Sequence, residues 1–228
     1  MNYYRDLNFH TLFGDKYNHI FLLLFWPIHG ILFYIYERVL PLNFHQVECS
    51  FDRAIPFCEY YIIPYYGWYV YIIGVLIWLF FTNQGEFKMY MNFIILSYAF
   101  TLLVYLIYPT EQNLRPADFE RDNIFVDLVR DLYNTDTNTN VCPSLHVIGQ
   151  MGAFFAAWRI RVRDSLTFWW RAFWIVSTIA VCASTVYLKQ HSIIDVFAGL
   201  AVSTAMYYVV YRLISKRLSK KRRELVTA

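Results

Sequence analysis

The sequence predicts an all-α, polytopic membrane bundle of about six transmembrane helices with an external amphipathic helix. Three observations carry that expectation. Of 228 residues, 58% are hydrophobic and only 16% charged, a balance too apolar for an ordinary water-soluble domain. The apolar residues gather in runs close to the roughly 17–25 residues that a helix needs to cross a bilayer. The aromatic share of 21% fits belts of Trp and Tyr at the two membrane interfaces. The length suits a single membrane-embedded domain over 1–228.

The segment before residue 20 is polar and aromatic, with no apolar core followed by a small-residue cleavage site, so no cleavable signal peptide is expected. Spans are expected at 20–36, 61–81, 89–107, 145–158, 168–188 and 194–214. Pro27 is tolerable in the first, because neighbouring helices can satisfy the freed carbonyl. The fourth is short, and its first turn holds His146, so it cannot be wholly apolar. Before it, Ile124, Phe125, Leu128, Val129 and Leu132 recur at helical spacing, opposite Asp122, Asp127, Arg130 and Asp131. That pattern predicts an amphipathic helix on the external membrane surface, covering the top of the bundle. The polar run 134–140 consists of turn and capping residues and delivers Pro143-Ser144 to the fourth helix. Pro at or near the first helical position suits a helix start, and a helix N-terminus offers free N–H groups to an anion.

Six spans place both termini on one side. The set made of the N-terminus, the Lys88 turn, the 159–163 turn and the tail carries 12 basic residues. The opposite set has Arg38, Arg53, Arg115, Arg121, Arg130 and Lys189. The positive-inside bias therefore predicts cytoplasmic N- and C-termini. The loops around Arg115, His146 and His191 then face the extracytoplasmic side. The basic tail, 215–228, reads as an anchor for the last helix, with an anionic-lipid site as the alternative. The net charge of +3 is topological and makes no case for nucleic acid. Cys49 and Cys58 share the first external loop, where a disulfide is permitted, although free thiols are the default. Cys142 adjoins Pro143, Cys182 lies within a span, and no C-x-x-C spacing suggests a metal.

Chemistry concentrates in three places. His191 and Asp195 are i, i+4, close enough for a carboxylate to fix the imidazole tautomer and leave the other ring nitrogen as nucleophile or base. A pair that merely tethers a helix is the structural alternative. His146, one turn into its helix, is a second imidazole that permits one ring to attack while the other donates a proton. Arg115 and Lys189 offer cations for a phosphoryl group, and Ser144 with the Leu145 backbone N–H offers neutral donors.

These pieces resemble the type 2 phosphatidic acid phosphatase (PAP2) superfamily of integral membrane lipid phosphatases and phosphotransferases. Its pattern is K-x6-R-P, then P-S-G-H, then S-R-x5-H-x3-D. Here the counterparts are Tyr108 to Arg115-Pro116, Pro143-Ser144-Leu145-His146, and Ser184-Thr185 to His191 and Asp195. The resemblance spans 108–195. It implies His191 as a nucleophile forming a phosphohistidine, Asp195 as its orienting partner and His146 as general acid, with Arg115 and Ser144 binding phosphate. The chain departs from the pattern at Tyr108, Leu145 and Thr185. Two cations are thereby missing, and Lys189 is the expected substitute. Similar departures occur in part among phosphotransferases of the sphingolipid-synthase type.

The expected function is hydrolysis of a lipid phosphate monoester or diphosphate, of the phosphatidic acid, phosphatidylglycerol phosphate or polyprenyl diphosphate class. The same first step resolved by an alcohol acceptor would instead transfer a head group, and a non-catalytic lipid-binding protein is a third reading. No metal or cofactor is expected. The expected partners are the lipid phosphate and membrane lipids, while oligomeric state is not legible.

Overall fold

The computed structural model describes residues 2–40, 43–160 and 164–216. Arg161, Arg163 and the tail from 217 onward, which enter the charge argument above, lie outside the described residues. The architecture is all-α, as the composition requires. In chain order the helices are α1 (Phe9–Leu12), α2 (Phe25–Arg38), α3 (Ser50–Ala54), α4 (Ile62–Thr82), α5 (Gln84–Ile107), α6 (Ile124–Thr135), α7 (Leu145–Arg159), α8 (Asp164–Tyr187) and α9 (Ile193–Tyr207). A 3-10 run, Asn18–Leu24, leads into α2, and a π-helical stretch, Tyr208–Ile214, extends α9. β1 (His45–Gln46) and β2 (Thr110–Glu111) pair in parallel beside the site, His45 opposite Thr110.

Five helical segments among the described residues are long and apolar enough to cross a membrane: Asn18–Arg38, Glu59–Thr82, Gln84–Ile107, Asp164–Tyr187 and Ile193–Ile214. These mark a membrane protein. The expected fourth span, α7, has 15 residues and reaches only about 22 Å. Its position explains its composition. It packs against α4, α5, α8 and α9, so it meets protein on its sides and needs no lipid-facing apolar surface. Small residues let the neighbours close in. A Cβ built on Gly149 would come within 2.5 Å of the Tyr98 hydroxyl, and one on Gly199 would meet Val147 Cβ at 3.0 Å. Close backbone approach through small residues is how membrane helices gain packing without a hydrophobic drive between them.

The helix ends sort into two groups. At one end, Arg159 makes two hydrogen bonds to Glu86, both 2.8 Å, and lies over the Tyr211 ring, while Lys88 reaches Asn18. This gathers the start of the first span, the α4–α5 turn, the end of α7 and the end of the last helix. The opposite end is capped by α6, whose Val129 and Leu132 pack with Ile62, Tyr65 and Leu188. Its charged face carries Arg130 paired with Asp122 and Asp127. All four cysteines are free, so Cys49 and Cys58 do not pair.

Candidate active site

The site begins where α8 ends. Lys189 adopts a left-handed φ of 54°, and Thr185 O accepts the N–H groups of both Gln190 and His191. The chain is thereby folded back toward the bundle. Ser192 then caps α9, accepting from the Ile194 N–H, and the third helical residue Asp195 returns a bond by accepting from the Ser192 N–H at 2.9 Å. This reciprocal box differs from the expected i, i+4 helical face, since His191 lies just outside the helix. The pair still meets: His191 Nδ1 is 3.3 Å from Asp195 Oδ2.

The turn is held from three directions. Lys189 Nζ donates to Asp52 O and Ile55 O, Gln112 Nε2 donates to Lys189 O, and the Tyr133 hydroxyl donates to Leu188 O. Asp52 on α3 is fully buried and accepts from the Cys49 N–H, the Ser192 hydroxyl and the Ile193 N–H at 2.7–2.8 Å. Burial alone would raise its pKa, but those donors outweigh it and hold the carboxyl below its ordinary value. Asp52 thus acts as a second anionic cap for α9, supplied from the distant first loop.

The second imidazole comes from α7. Ser144 caps that helix, its Oγ accepting from the Val147 N–H, and its own N–H donates to Asp195 O at 3.1 Å. Pro143 therefore precedes the cap and is not the first helical residue. The Leu145 and His146 N–H groups have no protein acceptor among the described residues. His146 lies between the rings of Tyr65 and Trp68, each centroid 4.6 Å away. Its Nδ1 is 3.3 Å from His191 Nε2, and its Nε2 is 4.0 Å from Asp136 Oδ2. The Tyr65 hydroxyl donates to that same Asp136 oxygen at 2.8 Å. The array is Asp136–His146–His191–Asp195.

A carboxylate only accepts, so the His191 Nδ1 facing Asp195 carries hydrogen, and in the neutral ring Nε2 is then the lone-pair nitrogen. In that tautomer the contact between rings makes His146 Nδ1 the donor. A lone-pair nitrogen and a proton-bearing nitrogen then face each other at 3.3 Å. Among the described residues, no three His, Cys, Asp or Glu side chains gather as a metal ion would require.

A family model described as the PAP2 superfamily matches residues 90–219, more than half of the chain. The chain belongs to the PAP2 superfamily. No curated protein and no solved structure gives a match. Membership implies activity of the phosphatase or phosphotransferase type.

Against the PAP2 pattern, the departures resolve into structure. Tyr108 is exposed and stacks on His45, centroids 4.2 Å apart. Thr185 is buried, its hydroxyl spent on Cys182 O. Neither side chain reaches the imidazoles. Lys189 does not replace them: its ammonium is committed to two carbonyls and burial lowers its pKa, with Asp52 opposing that shift. The expectation that Lys189 binds phosphate is corrected on that ground. Ser144 acts as a cap: its hydroxyl oxygen accepts from the Val147 N–H at 3.4 Å and its own N–H is taken by Asp195 O. Arg115 is close to the site but donates to Tyr133 O, Asp136 O and Gln190 Oε1, and its guanidinium lies 4.4 Å over the Tyr133 ring. Cys142 offers no rival nucleophile, because burial, and then the Asp195 charge, push its thiol up to about 12.

Sequence reading missed Asp136, Tyr65, Asn140 and Gln190. The last two line a small cavity of about 30 Å³ with Asp136, Leu145, His146 and His191. A groove of about 740 Å³ adjoins it, sharing Phe33, Asp136, Leu145 and His146, and runs between α2 and α4 past Trp26, Gly30, Tyr34 and Tyr69.

Proposed function

We propose that the protein is a membrane lipid phosphatase acting through a phosphohistidine. His191 Nε2 attacks phosphorus, forming an N–P bond as the P–O bond to the lipid breaks, and His146, entering as imidazolium, gives its Nδ1 proton to the leaving oxygen and becomes neutral. Asp195 holds the attacking tautomer. In the second step, water attacks phosphorus, His146 takes its proton, and phosphate leaves as the N–P bond breaks. One observation carries this reading: His191 Nε2 and His146 Nδ1 converge at 3.3 Å while Asp195 occupies the opposite nitrogen of His191. Division of one titrating pair into base and acid is what phosphoryl transfer between oxygens needs. The apolar groove ending at His146 supports a lipid leaving group. Placement of the site on the extracytoplasmic side belongs to the same proposal and rests on the basic-residue asymmetry.

Purified protein given lipid phosphate labelled at phosphorus tests the proposal. An acid-labile, alkali-stable phosphoenzyme is expected in the wild type and absent in His191→Ala. Inorganic phosphate should appear without any alcohol, and should persist in chelator. Product formed only with an alcohol acceptor, and no free phosphate, would instead establish head-group transfer. Unchanged turnover in His191→Ala would overturn the nucleophile assignment.

A further inference from the structure

We propose that Asn140 and Gln190 are neutral phosphate donors of this site, replacing the two cations absent at Tyr108 and Thr185. The inference rests on reading the site as a phosphoryl-transfer centre and supplies its anion-binding groups. Both side chains line the cavity that holds His146 and His191. Asn140 is 3% exposed and Gln190 2%. Among the described residues, neither amide atom of Asn140 has a hydrogen-bond partner, and Gln190 Nε2 has none. Buried polar atoms are paired in the great majority of cases, and leaving one unpaired is costly. Two amides left so in one reactive cavity call for a ligand that accepts from them.

Both are held firmly in place. Asn140 adopts φ 52°, a conformation Asn tolerates better than most residues. Its N–H donates to Thr110 O at 2.5 Å, and the Thr110 hydroxyl accepts from the next two N–H groups. The β1–β2 pairing therefore sets its position. Gln190 is aimed by Arg115, whose Nη2 donates to Oε1 at 2.6 Å. Arginine has only donors, so it fixes Oε1 on its own side and leaves Nε2 as the free end. Gln112 Nε2 meanwhile fastens the carbonyls of Lys189 and Gln190. Arg115 thus polarises the amide that meets the phosphate, and its charge acts at one remove.

Besides the acceptor oxygens Asn140 Oδ1 and Asp195 Oδ1, the site offers free donors. Gln190 Nε2, Asn140 Nδ2 and the unpartnered N–H groups of Leu145 and His146 at the start of α7 are donors, as phosphoryl oxygens require. The carboxylates of Asp136 and Asp195 supply the negative charge around the imidazoles. Neutral donors bind the phosphoryl oxygens without pairing away those carboxylates, as added lysines or arginines would.

The isosteric acids give the sharpest test. Gln190→Glu keeps the acceptor for Arg115 and turns it into an ion pair, but removes the N–H donor and adds a negative charge. Asn140→Asp likewise removes an N–H donor and adds a negative charge, but with no cation beside it. Binding of inorganic phosphate to the detergent-solubilised full chain would be measured by calorimetry, alongside turnover of a lipid phosphate. Each variant is expected to raise the phosphate Kd by about 10- to 100-fold, the loss of a hydrogen bond to a charged group, with thermal stability kept in Gln190→Glu. Should either acid fail to fold, Gln190→Met and Asn140→Gly remove the donor while preserving volume or backbone conformation. Wild-type Kd in the folded variants would overturn the proposal and leave the phosphatase reading intact. Wild type that binds phosphate but turns over no lipid phosphate would sink that reading, while the variant Kd values still decide this one. Wild type that binds no phosphate would overturn the proposal.

Discussion

Asp136 is where residue chemistry and sequence reading part most clearly. In the chain it is one Asp in a run of turn formers, with nothing local to set it apart. Folded, it receives the Tyr65 hydroxyl at 2.8 Å and stands 4.0 Å from His146 Nε2. His191 and Asp195 were legible because four residues separate them. Asp136 and Tyr65 lie 71 positions apart, and only the packing of α6 over α4 brings them together. In the proposed mechanism, this anion near the far nitrogen of His146 would orient the ring and favour its charged form against the burial that opposes it. Asp136→Asn is expected to lower kcat by about 10- to 100-fold, below the full worth of a general acid, and to leave the phosphate Kd near wild type. Tyr65→Phe, which only frees the carboxylate to move, should cost less. A kcat unchanged in Asp136→Asn would remove Asp136 from the mechanism.

Among elements, α3 shows how a five-residue helix comes to govern the site. Its Asp52 caps α9 from outside, 140 residues from Ser192 in sequence, and Lys189 is tied to the same loop. The sequence showed Asp195 only as a partner for His191; neither the cap at Ser192 nor the trans cap could be read from it. Hydrogen bonds to its charged form hold Asp52 below its ordinary pKa. A carboxyl depressed in the folded state contributes stability that is complete above its unfolded pKa, near 4, and is lost as pH falls through the folded value. Wild-type Tm should therefore drop between about pH 5 and pH 3. Asp52→Asn should be less stable at neutral pH, by on the order of 2–3 kcal/mol, and show a smaller acid-dependent decline over that range. Thermal melts across that pH series check both. Parallel curves for the two proteins would mean that another carboxyl carries the acid sensitivity.

For the whole molecule, hydropathy located five spans directly, because lipid-facing helices must be apolar along their length. The remaining helix, α7, was weak in the sequence for a physical reason: surrounded by protein, it is free to carry His146, Gln150 and glycines. Side-to-side packing of spans leaves no periodic signal, so the groove between α2 and α4 was not legible at all. Its largely apolar lining, with Glu37 and Arg38 among it, reaches His146 and Asp136, and on the proposed function it would take the lipid chain. Gly30 lines that groove, and a Cβ there meets nothing within 4 Å. Gly30→Trp should fill the groove without disturbing α2, since Gly is the poorer helix former. Excluding even two or three methylenes from apolar contact is worth about 2 kcal/mol. Turnover of a long-chain lipid phosphate should therefore show a KM raised about tenfold or more, with hydrolysis of a water-soluble short-chain phosphate ester unchanged. Equal losses on both substrates would mean the indole disturbs the imidazole pair itself. No loss on either would show that the chain reaches the site by a different route.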